Sequence, residues 1–187
     1  MGASLRFPRR LLSVTEYHKM GEAQVFLPNE RVELIDGELI QMSPIGGAHI
    51  QLLNLLIDIL HPQLNGAGIL SPQNPISLPP DSEPEPDLVI LKPECRTRRE
   101  VPRAADVLLL IEISASTLDY DQDVKVPLYA KHGIPEVWLL NEAARVISMY
   151  REPAQMKFRR LLTAEKDATI SPLLLPQIKL SLTDLWQ

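Results

Sequence analysis

One cysteine, Cys95, is the whole thiol inventory of the 187-residue chain. That excludes an internal disulfide and a thiolate metal cluster. The polar, arginine-rich surroundings of Cys95 suggest an exposed thiol in a reducing compartment such as the cytoplasm. Aromatic residues make up only 5% of the chain, which leaves little surface for stacking on sugars. No apolar run approaches the roughly 18 residues that a membrane span needs. Arg6, Arg9 and Arg10 near the N-terminus are not followed by an apolar segment, so no secretory signal is expected. Position 6 holds Arg rather than Ser or Thr, against myristoylation at Gly2. The four histidines show no zinc-ligand spacing. A net charge of −5 argues against a broad basic surface and strong sequence-independent nucleic-acid binding, while leaving room for a local basic patch.

Apolar residues are plentiful, at 45%. They can fill the core of one domain, expected over residues 1–187. Seventeen residues are proline, and eight of them lie between Pro72 and Pro102. Apolar runs sit among these prolines, which indicates ordered edges and loops rather than a disordered linker.

Ser13-Val14-Thr15-Glu16 has the pattern of a capping box, and the helix it opens is expected to end at Gly21. Arg31 to Met42 reads as a hairpin turning on Asp36-Gly37, which pairs Ile35 with Glu38 and Glu33 with Ile40. Glu33 and Glu38 read first as solvated strand residues; the alternative is an extra acid beside a site. Gly46 to Asn65 is a helix with Gln51, Asn54, Asp58 and His61 on a polar stripe and Leu53, Leu56 and Leu60 opposite. His49 falls on the inward side of its first turn, where a histidine is more often a hydrogen-bonded core residue than a functional one.

Ile69 to Leu78 reads as short strands interrupted by proline. Asp87 to Leu91 is a strand entered through Glu83-Pro84-Glu85-Pro86, whose prolines restrict the approach to an extended path. Lys92 to Ala105 is a polar loop carrying Arg96, Arg98, Arg99 and Arg103. It reads as solvated, with a phosphate-contacting arm as the alternative. Asp106 to Ser114 is apolar on both faces, as in a central covered strand, and Glu112 interrupts it. An ionised carboxylate there is costly unless cations or donors receive it. An antiparallel pairing of these two strands would bring Asp87 and Glu112 together.

A helix over Asp123–His132 is expected next, with Gly133 and Pro135 at its end and Pro127 in its first turn. That puts Lys125 at the helix N-terminus, leaning toward the sheet, unless it only snorkels at the surface. Glu136 to Asn141 is another apolar strand. Arg145–Arg151 and Lys157–Thr163 form an added antiparallel pair. Pro176 to Gln187 gives a strand and a short helix capped by Ser181 or Thr183. Apolar strands left exposed near the C-terminus would point to a homodimer.

This order of elements, with Pro86-Asp87 and Glu112, resembles the PD-(D/E)xK nuclease superfamily. More narrowly it resembles the Uma-two family of restriction-endonuclease-like proteins. The similar segments are Glu33-Leu34-Ile35-Asp36-Gly37-Glu38, Ser43-Pro44 with His49, Glu83-Pro84-Glu85-Pro86-Asp87, Ile111-Glu112-Ile113-Ser114, Tyr120-Asp121 with Lys125 and Tyr129, and Gly133-Ile134-Pro135-Glu136-Val137-Trp138. They lie within residues 13–151, leaving 152–187 as an extension. The resemblance implies an α/β (α+β) restriction-endonuclease-like fold, a mixed central sheet flanked by helices, with the N-terminal hairpin and the C-terminal antiparallel strands added. It implies that Asp87 and Glu112 bind Mg²⁺ or Mn²⁺. Where the wider superfamily has its motif lysine, this chain has Ser114. The narrower resemblance assigns the amine to Lys125.

The activity so implied is metal-dependent hydrolysis of DNA. Lys125 would orient water or stabilise developing charge, Ser114, Glu38 and His49 would assist, and Asp121 and Tyr129 would position Lys125. The rival reading is a non-catalytic module that binds nucleic acid or protein on the same scaffold. A glycosidase-like acid pair ranks last.

Overall fold

The structure is a computed structural model that describes residues 9–115 and 117–186. Chain contacts divide it into two compact units, one drawn from Met1–Ser43 with Ser77–Pro84, the other from Pro44–Ile76 with Glu85–Gln187.

In the first unit, α1 (Val14–Glu22) opens on the expected capping box. The Glu16 N–H donates to Ser13 Oγ at 3.3 Å, and the Ser13 N–H donates to Glu16 Oε2 at 3.0 Å. The helix does not stop at Gly21. It runs on to a cap at Ala23, whose N–H donates to the Gly21 and Lys19 carbonyls. The left-handed position that usually falls to glycine is taken by Gln24 (φ 55°), and the Val25 N–H closes the end on the Met20 carbonyl at 3.0 Å. Strands β1 (Val32–Ile35) and β2 (Glu38–Gln41) pair in the expected register, with Ile35 opposite Glu38 and Glu33 opposite Ile40. Asp36 and Gly37 both have positive φ, 45° and 80°, as a two-residue hairpin turn requires. Glu33 is buried, not solvated. The reason is that β1 is covered along its length: Leu34 bridges to Glu83 on the side away from β2.

The second unit is built on a six-stranded sheet in the order β3-β4-β5-β6-β7-β8. These are β3 (Ile69–Pro72), β4 (Leu88–Leu91), β5 (Val107–Ser114), β6 (Glu136–Asn141), β7 (Val146–Ala154) and β8 (Lys157–Glu165). Only β5 and β6 run parallel; every other neighbouring pair is antiparallel. β5 is buried at all eight positions, as its unbroken apolar run requires. On one side Leu109, Ile111 and Ile113 share a core with Leu52, Leu53, Leu56, Leu60 and Leu64 of α2 (Gly47–Leu64). Gln51, Asn54, Asp58 and His61 of α2 stay exposed. The chain ends with β9 (Thr169–Ile170) paired to β10 (Leu180–Ser181), then α5 (Leu182–Leu185), with Ser181 Oγ capping the Asp184 N–H. Cys95 is half-buried rather than exposed.

The segment after β5 departs most from expectation. Helical structure begins at Leu118, not Asp123. A single turn, α3 (Leu118–Tyr120), leads into a π-helical turn (Asp121–Lys125) and then α4 (Val126–Lys131). Pro127 therefore lies in the helix interior. A proline there lacks the N–H for the carbonyl four residues back and crowds it. A π turn relieves the clash with a wider loop, here closed by the Val126 N–H on the Asp121 carbonyl. Lys125 is carried by this turn in mid-helix, not at a helix N-terminus.

Candidate functional site

The β4–β5 register pairs Leu88 with Ile111, so Asp87, just before β4, comes opposite Glu112. Each carboxylate is tied to the backbone of the neighbouring strand segment. The Ile113 N–H donates to Asp87 Oδ2 at 2.7 Å, and the Asp87 N–H points at Glu112 Oε2 at a long 3.4 Å. From the first turn of α2, His49 Nε2 approaches Asp87 Oδ1 to 2.9 Å. Both side chains are 16% exposed, so this pair lies nearer the surface than Glu112, although His49 Nε2 itself is buried.

Glu112 lies deeper, at 2% exposure. Its Oε1 accepts a hydrogen bond from the Tyr129 hydroxyl at 2.5 Å and lies 3.3 Å from Lys125 Nζ. Burial pushes the Glu112 pKa from 4.5 up to about 8; Lys125 opposes this, Asp87 and Asp121 add to it, and Tyr129 opposes it. Ser114 sits two residues along β5, hence on the same side of the strand as Glu112. Its hydroxyl donates to Asp121 Oδ2 at 2.7 Å. Burial raises the Asp121 pKa despite the Ser114 and Thr117 hydroxyls and the Lys125 charge, which favour the carboxylate.

The fold thus gathers Asp87, Glu112, Lys125, His49, Ser114, Asp121 and Tyr129 into one connected network. Glu38 belongs to the other unit, where it is paired with Arg9. One member had no signal in the sequence reading: Thr117, whose hydroxyl donates to Asp121 Oδ2 at 2.7 Å. A threonine four residues before an acid has too many ordinary explanations to stand out.

Among the described residues, no group of three or more His, Cys, Asp and Glu side chains is arranged to hold a metal. The donor set that is present, two carboxylates from adjacent strands, fits a hard cation that completes its shell with water and backbone oxygen. It does not fit a zinc cage, which needs nitrogen or sulfur ligands in fixed number.

Residues 14–183 match the Uma2 family, described as "Putative restriction endonuclease". The chain belongs to the Uma2 family. No curated protein matches it. Among solved structures, a protein of Anabaena variabilis described as a putative nuclease of the DUF820 group superposes with a TM-score of 0.72. It shares 18% identity, over 94% of this chain and 97% of its own. At that identity the likeness is one of fold. Family membership makes nucleic acid the substrate class for this Uma2 chain.

Proposed function

We propose that this Uma2 chain is a divalent-metal-dependent endonuclease that hydrolyses phosphodiester bonds in DNA, with Asp87 and Glu112 as the ligands of Mg²⁺ or Mn²⁺. The observation that carries the reading is the meeting of Asp87 and Glu112 across β4 and β5 with the Lys125 amine 3.3 Å from Glu112. An ammonium beside buried acids keeps at least one of them charged and ready to bind a cation. When bound, such a cation supplies Lewis-acid stabilisation of the phosphoryl group and a more acidic water.

The protein's own groups then have distinct tasks. The Ile113 N–H and His49 fix the two oxygens of Asp87. Tyr129 fixes Glu112. Lys125 would orient the attacking water or stabilise charge building on phosphate oxygen. Asp121, oriented by the Ser114 and Thr117 hydroxyls, lies near Lys125 and positions the amine. Ser114 serves Asp121 and leaves the amine to the helix.

The test is cleavage of plasmid and linear DNA with Mg²⁺ or Mn²⁺. Asp87→Ala and Glu112→Ala should each lower the rate at least a hundredfold while circular dichroism and thermal unfolding show an intact fold. Full activity in both variants overturns the assignment. One observation favours the rival reading of a binding module: Glu112 Oε1 already has two protein partners, Tyr129 and Lys125. Under that reading the wild type binds DNA without cutting it in any metal, and Glu112→Ala leaves binding unchanged.

A further inference from the structure

β3 is an outer strand of the six-stranded sheet, bonded to β4 alone within it. Two clefts, about 370 and 500 Å³, lie against it and share Ile69, Leu70 and Arg96 in their walls. They lie side by side along the sheet edge, one toward Asn65 and Gly66 at the end of α2, the other toward Asn74, Pro75 and the 98–102 loop. The wall of the second is basic. Arg96, Arg98 and Arg99 line it against a single acid, Glu100, in a chain whose net charge is −5.

The basic wall is held in place. Both terminal nitrogens of Arg98 donate to the carboxylate of Asp106, at 3.1 and 2.7 Å. Asp106 is itself buried, takes the Arg103 N–H at 2.9 Å, and accepts the Lys92 N–H on its carbonyl at 2.8 Å. Burial works to raise the Asp106 pKa, but the Arg103 N–H and the Arg98 guanidinium win and lower it. Arg98 is thus an anchor. Arg96 and Arg99 are exposed, and neither is in an ion pair among the described residues. Both guanidinium groups line the same cleft and are available to an anion there.

The wall of the second cleft also neighbours the strand end that carries Asp87. Ser71 and Asn74, bonded to each other at 3.1 Å, line that wall, and the next residue back, Gln73, donates its N–H to the Asp87 carbonyl at 3.1 Å. The four residues of β3 span about 13 Å, a distance over which a duplex carries several phosphates. We propose that these clefts are the track for the phosphodiester backbone of the nucleic acid, with Arg96 and Arg99 as its phosphate contacts. The inference rests on the nuclease reading and names the route by which its substrate reaches Asp87.

The experiment is fluorescence anisotropy of a labelled DNA duplex in EDTA, so that no cleavage occurs, at salt concentrations from 50 to 200 mM. Each phosphate contact contributes about 0.9 to the slope of log K against log salt. Arg96→Ala/Arg99→Ala should flatten that slope by about 1.8, so the wild type's advantage shrinks about tenfold across the range. Arg96→Lys/Arg99→Lys should keep the slope, and Lys166→Ala should match the wild type. Binding by the wild type with an unchanged slope in the double alanine variant overturns the track and leaves the nuclease reading standing. A wild type that binds no duplex at any salt overturns both. If the double variant instead lowers self-association in sedimentation with no effect on DNA, a second chain pairs along β3 and the track is overturned.

Discussion

Glu112 is a carboxylate in a place that disfavours its charge, and that has a measurable signature. Its folded pKa, about 8, lies above the ordinary 4.5. Between those values the folded chain holds a proton that the unfolded chain has released. The unfolded state then binds fewer protons, so stability falls as pH rises through this window. In chelator-treated protein, the urea midpoint of the wild type should drop relative to Glu112→Gln between pH 5 and 8. The two curves should run parallel above the window. With Glu112 as a cation ligand, as proposed, the cation would compete with the same proton, and Mg²⁺ affinity measured by calorimetry should rise over that range and level off near pH 8. A flat affinity profile would remove Glu112 from the ligand set.

At the scale of the element, the segment from Leu118 to Lys131 shows how a backbone irregularity aims a side chain. A regular helix through Pro127 would leave the clash at the carbonyl four residues back. The π turn removes it by inserting extra backbone between Asp121 and Val126, which rotates every following residue about the helix axis. Lys125 and Tyr129, one turn apart, both reach Glu112 from this altered register. Pro127→Ala permits the regular α-helical alternative. We expect cleavage to fall about tenfold or more while the melting temperature holds or rises slightly, because a helix-breaking residue has been replaced by the best helix former. A variant with unchanged cleavage would show that the turn has no part in aiming Lys125.

For the whole molecule, the sheet's hold on the C-terminal segment runs through another buried acid. Glu136, fully buried at the start of β6, accepts hydrogen bonds from Trp138 Nε1 at 2.8 Å, Arg151 Nε at 2.6 Å and the Leu173 N–H. Arg151 also donates to the Ser171 carbonyl at 2.8 Å. This joins β6, β7 and the stretch that leads to β10 and α5. Arg151→Ala leaves the buried carboxylate without its counter-charge, at a cost of about 3–5 kcal/mol. For a chain of this length that is a fall in melting temperature of about 6–20 °C, read by calorimetry. A shift under 2 °C would mean that water replaces the guanidinium.

Some of this was legible in the residues alone. The hairpin at Asp36-Gly37, the covered strand around Glu112, the polar stripe of α2 and the Ser13 and Ser181 caps each depend on a pattern a few residues long, and short-range sterics and periodicity decide them. The suspicion that Asp87 and Glu112 belong together also came from sequence, because an acid in a doubly covered strand demands a partner. Other features depend on contacts between residues far apart. Glu33 is buried because Glu83 closes the far side of its strand. Glu136 looked like one more strand residue until Arg151 and the Leu173 backbone came to meet it. The start of the helix at Leu118 shows why local rules fail: Pro127 ruled out a long regular helix, but a π turn, held by packing against the sheet, accommodated it. Periodicity is a property of neighbours along the chain, whereas the burial that gives a charge its cost and its chemistry is a property of neighbours in space.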